Sequence, residues 1–317
     1  MNHQTQKTAH KSIAFADILT SMYVTVDDWY QAEWRDQHRD ERGVKGDMSA
    51  SEILTLMIAH DYLPYPGESQ FLAHIRANYL ELFPKLFDRS QYNRRARDLR
   101  FCLECFRRWM LKDMNAELEK EVLLDTKPIP VVGYKRNKMR SDFNSSAGYG
   151  VCVSRNLRYF GYKLVLLCTK SGIPLVYDLV PANTDEREAA ETVLCQVGGF
   201  TILGDKGFIG EDWQRWQFEQ TNNRIVTPKR ANQHVQNPAE LDRWLCSTRE
   251  PPAAGGERIE GVFHEIQNTG RHIEHLKAKK VSALAKRVCE KVTSHLMRLW
   301  LKLRLSIDIQ TFTVATP

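Results

Sequence analysis

Asp125 and Asp205 each close a short apolar run, Val122-Leu123-Leu124-Asp125-Thr126 and Phe200-Thr201-Ile202-Leu203-Gly204-Asp205. Carboxylates held at strand ends are rigid, hard oxygen donors. Such donors clamp two divalent ions about 3.5–4 Å apart for phosphoryl transfer to water or to a hydroxyl. A third acid is available on the helical stretch that opens near Glu257. At about 100° per residue, Ile259, Val262, Phe263 and Ile266 make one apolar face, and Glu260 stands on its rim, where a side chain reaches a cleft beside a core. Glu257 and Glu265 turn further towards solvent. His264 and Gln267 share the edge of Glu260, where they would orient it or contact DNA. Each residue also has an ordinary structural reading: Asp205 as a cap in the turn Gly204-Asp205-Lys206-Gly207-Phe208, Asp125 as a turn cap at a strand edge, His264 as a surface residue.

The elements that would position these acids follow from the spacing of apolar residues. Residues 13–120 read as nearly all helix, beginning with Ile13, Phe15, Ile18, Leu19, Met22 and Tyr23. Ser49-Ala50-Ser51-Glu52 is a capping box opening the apolar run to Tyr62, and Pro64, Pro66 and Gly67 break the chain before a helix from about Ser69 to Phe83. Pro84 ends that helix, and Asp88 or Ser90 caps the next. The spacing near 84–103 allows a helix-turn-helix in which Tyr92, Asn93, Arg94, Arg95 and Arg97 reach DNA, with generic helix packing as the competing reading.

From residue 121 the pattern turns to strands. One strand runs through Asp125 to Val132, an exposed basic loop covers 134–158, and Tyr159–Thr169 and Ile173–Pro181 form a hairpin around Ser171-Gly172. Helix over 184–196, strand over 200–205, helix over 211–220 and strand over 224–227 follow. Residues 228–256 are loop-like, and the remainder is again helical. The expected class is α/β: a mixed sheet with flanking helices over 121–317, preceded by a helical domain over 1–120.

The chain has 317 residues, 42% hydrophobic and 26% charged, enough for two modest domains with ample core and too apolar for global disorder. Its net charge of +6 is local, because residues 1–120 carry 17 basic and 18 acidic side chains. The base concentrates in 85–108, 135–163 and 271–304, stripes that suit a phosphate backbone or simply a solvated helix face. The apolar runs stop far short of the ~20 residues that span a bilayer, and Met1–Lys11 carries no apolar signal core, so a cytosolic protein without membrane partners is expected. Seven scattered cysteines fit a reducing compartment, and Cys102 and Cys105, lacking a second close pair, read as one face of a helix.

Together these residues resemble the DDE transposases of bacterial insertion sequences, most closely the insertion-sequence 982 type. The resemblance rests on Leu124-Asp125-Thr126-Lys127-Pro128, Tyr159-Phe160-Gly161-Tyr162-Lys163-Leu164, Pro181-Ala182-Asn183-Thr184-Asp185, Gly204-Asp205-Lys206-Gly207-Phe208 and Arg258-Ile259-Glu260-Gly261-Val262-Phe263, in that order over about 121–270. It implies an RNase H-like catalytic domain in which Asp125, Asp205 and Glu260 bind two magnesium or manganese ions. It also implies hydrolysis at the ends of the element, followed by attack of the freed 3′-hydroxyl on target DNA. The implied partners are terminal inverted repeats, target DNA and further copies of the chain, in a bacterial cytoplasm beside the nucleoid.

Many such enzymes carry a Tyr and an Arg upstream of the glutamate and a Lys seven positions after it, where this chain has Ala253, Gly256 and Gln267. Arg258, Arg271 or Lys277 would then take over the phosphate contact. Lys135 and Arg136 in the basic loop, and the tail from Arg271 to Arg304, are expected to meet phosphates without sequence preference. A nuclease of the same fold without strand transfer, and an inactive DNA-binding remnant, are the alternatives.

Overall fold

The computed structural model describes residues 13–38, 47–136, 138–139, 141–152, 156–230, 236–241, 243, 245, 259–268, 273 and 278–309; for 259, 260 and 268 it describes the backbone only. Five helices come first: α1 (Phe15–Trp29), extended by a π turn and a 3-10 turn to His38, α2 (Ala50–Ala59), α3 (Glu68–Asn78), α4 (Arg89–Asp98) and α5 (Arg100–Asp113). Two of them start where the sequence signals stand. Ser49 Oγ accepts from Glu52 N at 3.1 Å while Glu52 Oε2 accepts from Ser49 N at 2.6 Å, the capping box. Asp88 Oδ1 accepts from Ser90 N and Gln91 N at 2.6 and 2.9 Å, opening α4. α3 ends at Asn78, a turn earlier than the expected Phe83.

The second half contains β1 (Glu121–Val132), β2 (Gly148–Cys152), β3 (Leu157–Thr169), β4 (Pro174–Pro181), α6 (Glu186–Leu194), β5 (Thr201–Leu203), α7 (Glu211–Thr221), β6 (Arg224–Val226), α8 (Ile259–Asn268) and α9 (Val281–Leu305). The six strands form one mixed sheet in the order β2-β3-β1-β5-β6, with β4 also on β3. β1 is antiparallel to β3 and parallel to β5, and β5 is parallel to β6. β2 lies inside the stretch expected to be all loop. Its glycines, Gly148 and Gly150, remove the apolar alternation that marks a strand, yet they let it pack closely: a Cβ on Gly148 would sit 1.8 Å from Asn183 Oδ1.

Gly161 on β3 faces a harder constraint, since a Cβ there would fall 2.0 Å from the Ile129 carbonyl oxygen, beside the register shift between Pro130 and Val132. Backbone cannot rotate away as a side chain can. Gly161→Ala should therefore destabilise the fold by roughly 1–3 kcal/mol, read as a lower urea midpoint. An unchanged midpoint would show that β1 yields at this point.

Alternation along the strands sends residues to two cores. Val122, Leu124, Val165 and Leu167 join the helices α1–α5, α6 and the later part of α9. Leu123, Ile129, Leu164, Leu166 and Leu203 face α8 and the earlier part of α9. The helices before residue 120 thus share a core with the sheet, so the boundary expected there is a change of secondary structure within continuous packing. Arg107 on α5 secures the joint. Its Nη1 donates to the carbonyls of Pro174 and Leu175, both at 3.0 Å, while its Nη2 meets Glu104 at 2.7 Å.

Candidate active site

Register brings the two aspartates together. Leu123 pairs with Leu203 across the parallel β1–β5 ladder, and both side chains are buried against α8. Asp125 stands two residues further along β1, where alternation points it to that same face, and Asp205 stands two residues beyond Leu203, just past the end of the neighbouring strand. The β1–β5 pairing ends at Leu123 and Leu203, and on the other side of β5 Gly204 N donates to Val226 O of β6 at 3.0 Å. Asp205 itself keeps an extended backbone, φ −81° and ψ −173°.

Backbone amides orient both carboxylates. Asp125, half-buried, accepts from Thr126 N at 2.7 Å, and the exposed Asp205 accepts from Gly207 N at 2.7 Å. Asp205 does cap the 3-10 turn Lys206–Phe208. That bond takes one of roughly four acceptor directions on a carboxylate, which leaves room for metal ligation.

α8 covers the same face with Val262, Phe263 and Ile266, as the apolar spacing predicts. Lys127, two residues beyond Asp125, sets its Nζ 5.6 Å from the Phe263 ring centroid. Glu260 lies one turn before Phe263 on α8, and its side chain lies outside the described residues. Glu265, expected in solvent, is anchored: it pairs with His295 Nδ1 at 2.9 Å and with Arg298, joining α8 to α9. His264 is exposed and Gln267 half-buried.

Behind this face lies a cluster that the acid search missed. Thr126, next to Asp125 but pointing to the opposite side, donates Oγ1 to Glu186 Oε2 at 3.0 Å. Lys163 Nζ meets Glu186 Oε1 at 2.9 Å and the Thr184 carbonyl at 2.7 Å. A Cβ on Gly207 would lie 2.9 Å from Asp205 Oδ1 and 3.3 Å from Glu186 Cγ, so Glu186 buttresses both aspartate-bearing segments. Its only sequence signal is its place just after the helix cap Asp185.

The residues expected at DNA fare differently. Tyr92 is buried in the helical core at 1% exposure, which corrects its assignment, because no base or phosphate can reach its ring. Asn93 is half-buried and gives its amide to Glu68 Oε2 at 2.7 Å. Arg94 and Arg97 are exposed, Arg95 is half-buried, and Lys135 and Arg136 are exposed after β1. Arg258, Arg271 and Lys277 lie outside the described residues. On α9 several of the tail's cations are paired within the fold: Lys286 with Glu68 and Glu290, Lys291 with Asp61, Arg298 with Glu265 and Arg304 with Asp113. α9 is chiefly scaffold, and its buried lysines cannot meet phosphates.

Asp125 and Asp205 supply the hard oxygen donors that magnesium or manganese prefer, on adjacent strands, so they fit such a group. Among the described residues, no three His, Cys, Asp or Glu side chains form a metal-binding group. Also among them, no helix is long and apolar enough to cross a membrane.

Residues 117–297, more than half of the chain, match the family model described as a transposase DDE domain. The chain belongs to this family, whose members act on DNA and generally use divalent metal ions. Comparisons with curated proteins and with solved structures gave no match.

Proposed function

We propose that the chain is a bacterial insertion-sequence transposase of the 982 type, with an RNase H-like catalytic part over 121–317 and a helical DNA-recognition part over 1–120 that shares a core with it. The observation that supports this reading is the parallel pairing of β1 with β5, whose last partners, Leu123 and Leu203, each precede an aspartate, Asp125 and Asp205, by two residues. Glu260 completes the set. Bound there, magnesium or manganese ions would supply Lewis acidity to the attacking and leaving oxygens. Asp125 and Asp205 hold that site rigidly, while Thr126, Lys163 and Glu186 keep the two strand ends from splaying. In the first step water displaces the 3′-oxygen at the end of the element, breaking one P–O bond and forming another. In the second, the freed 3′-hydroxyl displaces an oxygen of target DNA in the same way. Further copies of the chain assemble on the paired ends.

A labelled duplex carrying the end of the element tests this. Nicking that leaves a 3′-hydroxyl, requires magnesium or manganese and stops with chelator is the expected result. Subsequent joining to target DNA separates a transposase from a nuclease of the same fold. Tight binding without cleavage in either metal would contradict the reading and favour an inactive remnant.

For recognition, Arg94 and Arg97 share the outer face of α4, three residues apart. Arg94→Ala and Arg97→Ala should each weaken duplex binding and lower the slope of log affinity against log salt by about 1. Unchanged slopes would remove α4 from the DNA interface.

A further inference from the structure

The outer face of β2 exposes large apolar and aromatic groups among the described residues. Tyr149 is 56% exposed and Val151 63%, and Tyr134, in the turn after β1, is 47% exposed. Tyr149 leans on Phe160 with ring centroids 5.0 Å apart, and Tyr134 meets Tyr149 edge-on at 5.9 Å. These rings are held before any ligand arrives. Lys138, itself buried, donates Nζ to the Tyr134 carbonyl and sits 5.3, 5.5 and 6.0 Å from the ring centroids of Tyr134, Tyr149 and Phe160. Phe143, buried in the core, and Ser146, 2.6 Å from Tyr162 Oη, pin the rest of the loop. Exposed cations flank the rings: Lys135 and Arg136 in the loop, and Arg158 paired across from Val151.

Register also relates this patch to the carboxylates. Tyr149 pairs with Phe160, which pairs with Val132, and the Phe160 and Tyr162 side chains belong to the core beneath the Asp125 face. The patch and Asp125 therefore share one face of the sheet. Seven residues of β1 separate them, roughly 23 Å at 3.3 Å per residue, or about seven base-pair steps of duplex. Pre-set aromatic faces bordered by cations match unpaired nucleotides, whose bases stack on rings of any sequence while their phosphates take the charge. Fully paired duplex offers no such faces.

We propose that Tyr134 and Tyr149, with Lys135, Arg136 and Arg158, form a stacking platform for unpaired nucleotides of a DNA strand that runs on from the aspartate site. The proposal rests on the reading of the chain as a DNA-processing protein and adds the strand state it recognises.

Fluorescence anisotropy of the full chain with a labelled 20-nucleotide oligothymidylate and a 20-base-pair duplex tests it. Tyr134→Ala and Tyr149→Ala should each weaken the single strand roughly ten-fold, with Tyr149→Phe near the native value and duplex affinity unchanged. Since Tyr149→Ala also opens the cage around Lys138, the native chain is to be photo-crosslinked to a 5-iodouracil strand as well. Adducts on the peptides carrying Tyr134 or Tyr149 are expected. Crosslinks confined elsewhere, an unchanged single-strand affinity, or a change in self-association alone, which would give this face to a second copy of the chain, would each overturn the platform. Duplex nicking that survives such a result would leave the catalytic reading intact, whereas absence of both duplex binding and nicking would remove that reading first.

Discussion

Asp125→Asn and Asp205→Asn should each lower metal-dependent nicking on the order of 10³-fold or more, while duplex binding stays near native. Each carboxylate follows by two residues the last paired position of β1 and β5, Leu123 and Leu203, and in the proposed site each supplies its own metal ligands, so neither replaces the other. Each amide keeps the shape of the acid but loses the charge that holds a divalent ion, and several kcal/mol of transition-state stabilisation go with it. Phosphate contacts do not depend on these acids, which is why binding should survive. Glu260→Gln should behave alike. Undiminished nicking in any of the three variants would sink the assignment of that residue.

The second large effect concerns stability. Lys286, 1% exposed, lies 2.9 Å from Glu68 and 3.2 Å from Glu290, with Arg287 at 3.9 Å from Glu68. Lys286→Met would leave buried carboxylates short of their nearest cation, at a cost of about 3–5 kcal/mol and a fall in Tm on the order of 10 °C. Lys302→Met, which disrupts an exposed pair with Asp308, should change stability by less than about 1 kcal/mol.

The sign of the pH dependence follows from Glu68. Burial alone would raise its pKa, but attraction and a hydrogen bond from Lys286, with Arg287 and Asn93, outweigh burial and hold the carboxyl below its ordinary 4.5. A carboxyl lowered in the folded chain stabilises it above that ordinary value, and the contribution fades as pH falls through the lower folded value. The stability difference between native chain and variant should therefore be full near neutrality and narrow below pH 4.5. Equal urea midpoints at pH 7 would contradict the buried network.

How far the fold could be read in advance depended on the range of the interactions. The capping box at Ser49 and the apolar face of α8 are local patterns, and both stand as spaced. Asp125 and Asp205 were visible because each ends an apolar run, but the strands that precede them are joined by a pairing of residues about 80 apart that no local spacing encodes. β2 was hidden because Gly148 and Gly150 replace every second side chain. Tyr92, Asn93, Arg94, Arg95 and Arg97 were all expected at DNA, yet consecutive helical residues point around the whole axis, and Tyr92 and Ala96 turn inward. The tail looked like a phosphate-binding stripe because the acids that neutralise Lys286 and Lys291, Glu68 and Asp61, lie more than 200 residues earlier in the chain.

The central claim, that Asp125, Asp205 and Glu260 jointly hold a metal pair, is tested most directly by anomalous diffraction from crystals of the chain with its DNA end and manganese. Two peaks about 3.5–4 Å apart, beside Asp125 and Asp205 and within reach of the Glu260 carboxylate, are the predicted result. Manganese bound elsewhere, or a Glu260 carboxylate turned away from the two aspartates, would contradict it.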